Sequence, residues 1–261
     1  MSHSQSSAVS LDPIAFLGSL ATSALRFGAG IATAPRSARP TLLFELYEFE
    51  GCPYCRIVRE ALTELDLDAI VRPCPKGGTR FRPHVIEKGG KAQFPFLHDP
   101  NTNVSLYESA DIVRYLFETY GGGSVPLRWQ AAGLQQLGSA LAGLWRFGAG
   151  RDVRPSVAPG QPLELYSFEA SPFARLVRER LCELELPHVL RSVGRSTASD
   201  WLPPALRDAF HVEATPQTLN RRVLLERAGR ISVPYLVDPN CGVEMAESAD
   251  IIEYLQRTYG A

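Results

Sequence analysis

The sequence predicts an α/β fold built twice: two tandem units, each a four-stranded mixed sheet flanked by helices, each with an extra leading helix. Three observations predict it. The corner over residues 46–62 returns over residues 165–181, with Cys52-Pro53-Tyr54-Cys55 in the first copy and Ser171-Pro172-Phe173-Ala174 in the second. Glu108-Ser109-Ala110-Asp111-Ile112 returns as Glu247-Ser248-Ala249-Asp250-Ile251, and each stretch runs on to Thr-Tyr-Gly. The head repeats too: Leu17-Gly18-Ser19 and Arg26-Phe27-Gly28-Ala29-Gly30 recur as Leu137-Gly138-Ser139 and Arg146-Phe147-Gly148-Ala149-Gly150. A repeat of about 120 residues is a normal domain size. Because the second copy changes both cysteines, the pattern implies one working site and one altered site.

The elements follow in order. Leu43 to Phe49 reads as a strand, and the Gly51-Cys52-Pro53 corner opens a helix with Pro53 at its first position, where a missing N–H costs nothing. Ile57, Val58, Ala61, Leu62 and Leu65 share one face of that helix. Ala69 to Arg72 reads as a second strand, followed by the loop Pro73 to Gly78 and a short helix near Arg82 to Lys88. Phe96 to His98 and Val104 to Leu106 suit a hairpin across Asp99 to Asn103, and Ser109 to Tyr120 closes the unit as a helix. The second unit repeats the pattern from Leu163 to Tyr259, with an insertion of roughly 20 residues around Ser196 to Leu219. Its Pro203-Pro204 marks the insertion as a surface excursion.

The expected boundaries are a disordered tail over 1–10, a first unit over 11–121, a linker over 122–130 and a second unit over 131–261. The Ser-rich start could pass for a transit peptide, but residues 14 to 30 have a counterpart at 134 to 150, so they read as a structural helix instead. With 261 residues, 45% hydrophobic, two cores are within reach; a net charge of -1 argues against nucleic acid as a partner. Five cysteines at irregular spacing do not make a secreted disulfide framework and point to a reducing compartment. The expected location is the cytoplasm, with an organellar stroma as the alternative in a phototrophic eukaryote. No apolar run reaches membrane-spanning length, so no membrane insertion is expected.

A Cys-Pro-Tyr-Cys at a strand-to-helix corner, Phe94-Pro95-Phe96 before a hairpin and Glu108-Ser109 opening the last helix together resemble the thioredoxin-like N-terminal domain of glutathione S-transferases and glutaredoxins. The resemblance covers both units except their leading helices. The Pro73-Cys74-Pro75-Lys76-Gly77 loop and the tandem arrangement are similar to a group of double-domain glutathione S-transferase-like proteins of bacteria and plastids. The all-helical C-terminal domain of an ordinary transferase has no counterpart here. The resemblance implies glutathione as co-substrate, a cis Pro95 presenting the backbone of Phe94 to its peptide portion, and Glu108 with Ser109 holding its γ-glutamyl end. Tyr54 would flank that site. In the second unit Ser171, Phe173, Val233, Pro234, Glu247 and Ser248 resemble a serine-type transferase site.

The chemistry of the first site follows from its parts. Cys52 at a helix N-cap faces unsatisfied N–H groups and the helix dipole, which favour a thiolate and hence a nucleophile. Cys55, one turn later, can attack a mixed disulfide on Cys52 and release the reduced product. Ser171 cannot do this, because a hydroxyl forms no mixed disulfide. The expected activity is glutathione-linked thiol-disulfide exchange through Cys52 and Cys55, acting on disulfide-containing proteins or small molecules.

Alternatives remain at each point. Conjugation of glutathione, with Cys52 or Ser171 stabilising its thiolate, competes with redox turnover, and a non-catalytic module that holds a ligand or partner competes with both. The second unit is either a glutathione-type cleft or a decayed copy retained for packing, and the two units could pack as a pseudo-dimer. No second cysteine pair supports a zinc site, so no metal is expected. Glu108-Ser109 could be a helix cap, Tyr54 and Phe173 could serve packing, and Cys74 in its loop is a third redox thiol or an incidental one. Cys182 reads as core, and Cys241 carries no evident role.

Overall fold

A computed structural model describes residues 12–25, 29–34, 39–130, 139, 148–201, 206, 209–210 and 215–261. The expected tail over 1–10, the leading helix around Leu137 apart from Ser139, and Pro203-Pro204 lie outside the described residues. The first unit contains α1 (Pro13–Leu25), β1 (Phe44–Glu48), α2 (Pro53–Glu64), β2 (Ala69–Pro73), α3 (Arg82–Gly89), β3 (Phe96–Asp99), β4 (Val104–Tyr107) and α4 (Ser109–Tyr120). After α5 (Leu127–Gln130), the second unit contains β5 (Leu163–Ser167), α6 (Pro172–Glu183), β6 (His188–Ser192), a 3₁₀ turn (Ala198–Trp201), α7 (Leu219–Ala228), β7 (Tyr235–Asp238), β8 (Val243–Ala246) and α8 (Ser248–Tyr259). The order of elements in both units is the one the sequence predicts.

In each unit the first two strands run parallel and the hairpin adds antiparallel, with β1 between β2 and β3 and β5 between β6 and β7. The two sheets join into one of eight strands, ordered β4-β3-β1-β2-β6-β5-β7-β8. The join is antiparallel: Ala69 pairs with Leu190, Ile70 with Val189 and Val71 with His188. The offset that carries Cys52 onto Ser171 also carries Ile70 onto Val189. The register is therefore twofold about that central pair, and each unit covers the edge that the other would leave open for unwanted pairing.

Each core lies between a sheet face and its helices. Phe44, Leu46, Val58, Leu62, Leu97, Ile112 and Leu116 build the first; Leu163, Leu165, Val177, Leu181, Leu236, Ile251 and Leu255 build the second. Each hairpin is tied to its last helix by a buried aspartate: Asp99 accepts from Tyr115 and Tyr120 at 2.5 and 2.6 Å, and Asp238 from Tyr254 and Tyr259 at 2.7 and 2.6 Å. Burial pushes both carboxyls up, but these hydroxyls and the asparagines two residues on outweigh it and hold them below the ordinary value.

Three contacts exceed what the sequence implies. The leading helix α1 packs on α6 of the other unit, where Ser19 Oγ donates to the Pro172 carbonyl at 2.7 Å; Ser139 Oγ does the same to the Pro53 carbonyl at 2.6 Å. The segment expected as a linker, 122–130, contains α5, whose Trp129 is buried against Phe117 in the first core. The Cys74 loop is held rather than free. Lys76 N–H donates to the Arg151 carbonyl, Val153 N–H donates to that of Lys76, and Cys74 is buried among Tyr47, Phe81, Val85 and Phe96.

Candidate functional site

The Cys52 corner forms because Phe49 closes a turn, its carbonyl accepting the Cys52 N–H at 3.0 Å, and Pro53 starts the helix. Cys52 is the N-cap of α2, and its Sγ accepts the Cys55 N–H at 3.2 Å. Both thiols are buried and neither is in a disulfide. Burial pushes the Cys52 thiol up, but hydrogen bonds from the Cys55 thiol and from the N–H groups of Cys55 and Tyr54 outweigh it, leaving Cys52 below the ordinary cysteine value. Burial and the neighbouring Cys52 drive Cys55 the other way, well above that value. The pair is thus split into an acidic outer sulfur and a proton-holding inner one.

The remaining first-unit residues are linked around this corner. The Phe49 ring meets the Phe94 ring edge-on at 6.2 Å, and the Phe94–Pro95 peptide bond is cis. The Arg82 guanidinium lies over the other side of Phe94 at 4.9 Å. Gln93 donates to the Glu108 carboxylate, while Glu108 (φ 63) turns the chain so that buried Ser109 begins α4. Tyr54 is half-exposed beside the corner. Glu108 is the N-cap residue of α4 but makes no side-chain cap bond to it.

The second unit repeats this geometry with oxygen in place of sulfur. Ser171 is the N-cap of α6, its hydroxyl accepts the Ala174 N–H at 3.2 Å, and Val233–Pro234 is cis. Ser171, Phe173, Val233, Pro234, Glu247 and Ser248 all line one cavity of about 410 Å³. Asp200 of the insertion lines it as well, together with Arg195 and Arg221 on either side of the insertion, residues the sequence did not single out. Asp200 accepts from Ser196 and Thr197 N–H at 2.9 Å each and binds Arg221 at 2.6 Å, and Arg195 lies over Phe168 and Trp201. Among the described residues of the insertion, Asp200 and Thr218 are buried, whereas Trp201, Leu206 and Phe210 are exposed.

The family described as glutathione S-transferase, N-terminal domain, matches residues 46–124 and again residues 165–261, more than half of the chain. The chain belongs to this family. Two solved structures of glutathione transferase BmGSTD1 from Bombyx mori, one in complex with GTT, are each 25% identical to it with a TM-score of 0.29. They cover 34% and 32% of this chain and 39% and 38% of their own, so the chain spans under two fifths of the structures it matches. No curated protein matches. As a member of the family, the chain carries its N-terminal fold twice. Among the described residues no cluster of His, Cys, Asp or Glu is arranged to hold a metal, and no helix is long and apolar enough to cross a membrane.

Between these two family sites lies a buried ionic cluster that sequence reading missed. Glu50, two residues before Cys52, pairs with Arg178 of α6 at 3.2 Å and with Arg59 at 3.1 Å. Glu169, two residues before Ser171, pairs with Arg59 of α2 at 2.8 Å and with Arg178 at 3.0 Å. Each corner thus hands a carboxylate to the other unit's motif helix. Burial pushes Glu169 up, but Arg178, Arg59 and Arg175 bring it down to about 2. The signal was present, since both copies share Glu, then Arg-x-x-Arg, but in one isolated amphipathic helix those arginines would face water.

Cys74 is buried and burial pushes its thiol far up, so it presents no thiolate to oxidants. Cys182 is buried, as the sequence implies, with its thiol donating to the Gly150 carbonyl at 3.3 Å; Cys241 is exposed.

Proposed function

We propose that the chain is a glutathione-linked thiol-disulfide oxidoreductase that works through Cys52 and Cys55, with a second, non-redox glutathione-type cleft in the other unit. The observation that carries the reading is the split thiol pair at the N-cap of α2. A low-pKa outer sulfur attacks a disulfide, and a protonated inner sulfur is kept in reserve one turn away. Phe94, Pro95, Glu108 and Ser109 would hold glutathione beside it, Tyr54 would flank it, and the two units would act as a pseudo-dimer within one chain. The test is reduction of the mixed disulfide between hydroxyethyl disulfide and glutathione, coupled to glutathione reductase. Cys52→Ser is expected to fall to background, and Cys55→Ser to retain turnover on this small substrate while losing reduction of protein disulfides. Clean, reduced wild type without activity sinks the reading.

A second reading, conjugation, is favoured by the cavity at Ser171, where a hydroxyl at a helix N-terminus can hold the glutathione thiolate. If it operates, Ser171→Ala lowers chlorodinitrobenzene conjugation by about 10-fold or more, the rate equivalent of one lost hydrogen bond of roughly 1.4 kcal/mol to a charged group. Equal rates in the variant and wild type would remove Ser171 from that chemistry.

A further inference from the structure

Cys52 lies in the first unit, but the backbone around it is held from the second. Glu50 N–H donates to Cys182 Sγ at 3.3 Å, and Gly51 N–H donates to the Gly150 carbonyl at 3.3 Å. On the other side of Cys52, the Pro53 carbonyl accepts from Ser139 Oγ at 2.6 Å, and the Ser139 carbonyl accepts from Arg56 Nη1 at 3.2 Å. Ser139 therefore spans the first turn of α2, from Pro53 to Arg56, and the Arg56 N–H closes that turn on the Cys52 carbonyl at 3.2 Å. Ser139 is wholly buried, and Arg56 and Cys52 are nearly so. The repeat reproduces the arrangement at the other corner. Glu169 N–H donates to Thr63 Oγ1 at 3.2 Å, Ala170 N–H to the Gly30 carbonyl at 3.2 Å, Ser19 Oγ to the Pro172 carbonyl at 2.7 Å, and Arg175 Nη1 to the Ser19 carbonyl at 2.6 Å. The N-cap atom that the turn serves is an oxygen there and a sulfur at Cys52.

The Ser139 hydroxyl meets one particular peptide group, whose two ends are the Pro53 carbonyl and the Tyr54 N–H. Tyr54 is the second residue of α2, and the N–H groups of the second and third residues of a helix point back at the N-cap side chain, here Cys52 Sγ. The third, Cys55 N–H, lies 3.2 Å from that sulfur. A hydroxyl that donates to the carbonyl end of an amide polarises it and strengthens its N–H as a donor, more so in a buried site than in water. A helix carbonyl has a second lone pair to offer, so this bond adds to the helix's own.

We propose that Ser139 is a positioning residue for the redox corner of the other unit: its hydroxyl and its carbonyl fix the first turn of α2 so that the Tyr54 and Cys55 N–H groups converge on Cys52 Sγ. The proposal rests on the redox reading above, with Cys52 as the attacking sulfur. Burial and the charge of Glu48 disfavour the Cys52 thiolate, and the Cys55 thiol together with these two N–H groups outweighs them. Ser139 acts on the N–H pair and leaves the other groups alone. The second unit then completes the redox corner as well as covering it.

The experiment titrates the reduced full chain by the ultraviolet absorbance of its thiolates, with Cys52 read as the difference between each chain and the same chain carrying Cys52→Ser. Ser139→Ala removes one oxygen and no carbon. Ser19→Ala makes the same change at the corner without cysteines, and its urea midpoint reports what the lost bond costs the fold. Ser139→Thr keeps the donor. Ser139→Ala is expected to titrate on the alkaline side of wild type, with about 3-fold less Cys52 thiolate at a pH below both midpoints. Ser19→Ala is expected to lose as much stability and to overlay wild type in the titration, and Ser139→Thr to stay with wild type. Reduction of the mixed disulfide between hydroxyethyl disulfide and glutathione should follow the thiolate. In Ser139→Ala it slows by the same factor at low pH and converges on wild type at high pH, where the sulfur is fully ionised; a loss of packing alone would slow it at every pH. If folded Ser139→Ala overlays wild type, if both alanine variants shift together, or if Ser139→Thr shifts as far as Ser139→Ala, the proposal is overturned and the redox reading stands. If the titrations move as expected but wild type reduces no disulfide, the redox reading is overturned and Ser139 still positions the sulfur. If Cys52 of wild type titrates as an ordinary cysteine, both are overturned.

Discussion

Replacing Arg59 by methionine is expected to destabilise the chain by about 3–5 kcal/mol, the usual cost of removing one partner from a buried ion pair. Arg59 is almost wholly buried and touches Glu48, Glu50 and Glu169. Glu50 and Glu169 keep Arg178, but Glu48 loses the guanidinium that favours its charged form. The loss should depend on pH in a defined direction. Burial pushes Glu48 from the ordinary glutamate value of 4.5 up to about 7 in the folded chain, so between these the folded state holds more proton than the unfolded one, and stability falls as pH rises. Without Arg59 that window extends upward. The destabilisation measured from urea midpoints should therefore be larger at pH 8 than at pH 5, and adding Glu48→Gln to the methionine variant should recover part of it. An Arg59→Met chain whose midpoint shifts equally at both pH values would mean that Glu48 is not the carboxylate stranded by the change.

The order of elements was legible because local chemistry fixes it. Pro53 and Pro172 mark helix starts, Asp99-Pro100-Asn101 marks a hairpin, and Ile57, Val58, Ala61 and Leu62 fall on one face of a helix. Asp99 has an additional task that spacing does not reveal, accepting two tyrosine hydroxyls from α4. What stayed hidden depends on the second unit being present. Arg56, Arg59 and Glu60 make an ordinary polar face on a lone helix, yet they are buried because α2 lies between its own sheet and the other unit. Cys74 looked like a loop thiol because Pro73 and Pro75 flank it, and it is enclosed because the segment around Arg151 to Val153 clamps that loop. Asp200 and Arg221 entered the second cleft unnoticed, since a lone acid inside an insertion has no periodic partner to reveal it. The charge linking the two corners required the β2–β6 pairing to become visible.

Trp129→Ala is expected to cost about 3–5 kcal/mol, the range for truncating a buried aromatic to alanine. The indole covers the C-terminal ends of α2 and α4. It lies 6.0 Å from the Phe117 ring, and its Nε1 donates to Glu64 at 3.0 Å. The second unit shows the same place without a tryptophan. There Glu183 stands for Glu64 and Gln256 for Phe117, Arg180 bonds Gln256 and pairs with Glu183 at 3.5 Å, and a cavity of about 710 Å³ opens beside Leu176 and Ile252. Polar side chains tolerate water at that end of the second unit. Phe117 and the first core cannot, so the alanine variant would expose apolar surface that no neighbour replaces. Trp129→Phe should cost far less, about 1 kcal/mol for the lost hydrogen bond, because Arg128 still pairs with Glu64. Because β2 and β6 share one ladder, loosening the first unit should lower the stability of the whole sheet. Denaturation of the alanine variant should then show one transition at a lower midpoint with its slope unchanged. Two separated transitions would show instead that the units unfold independently, and that the eight-stranded sheet does not make them one cooperative body.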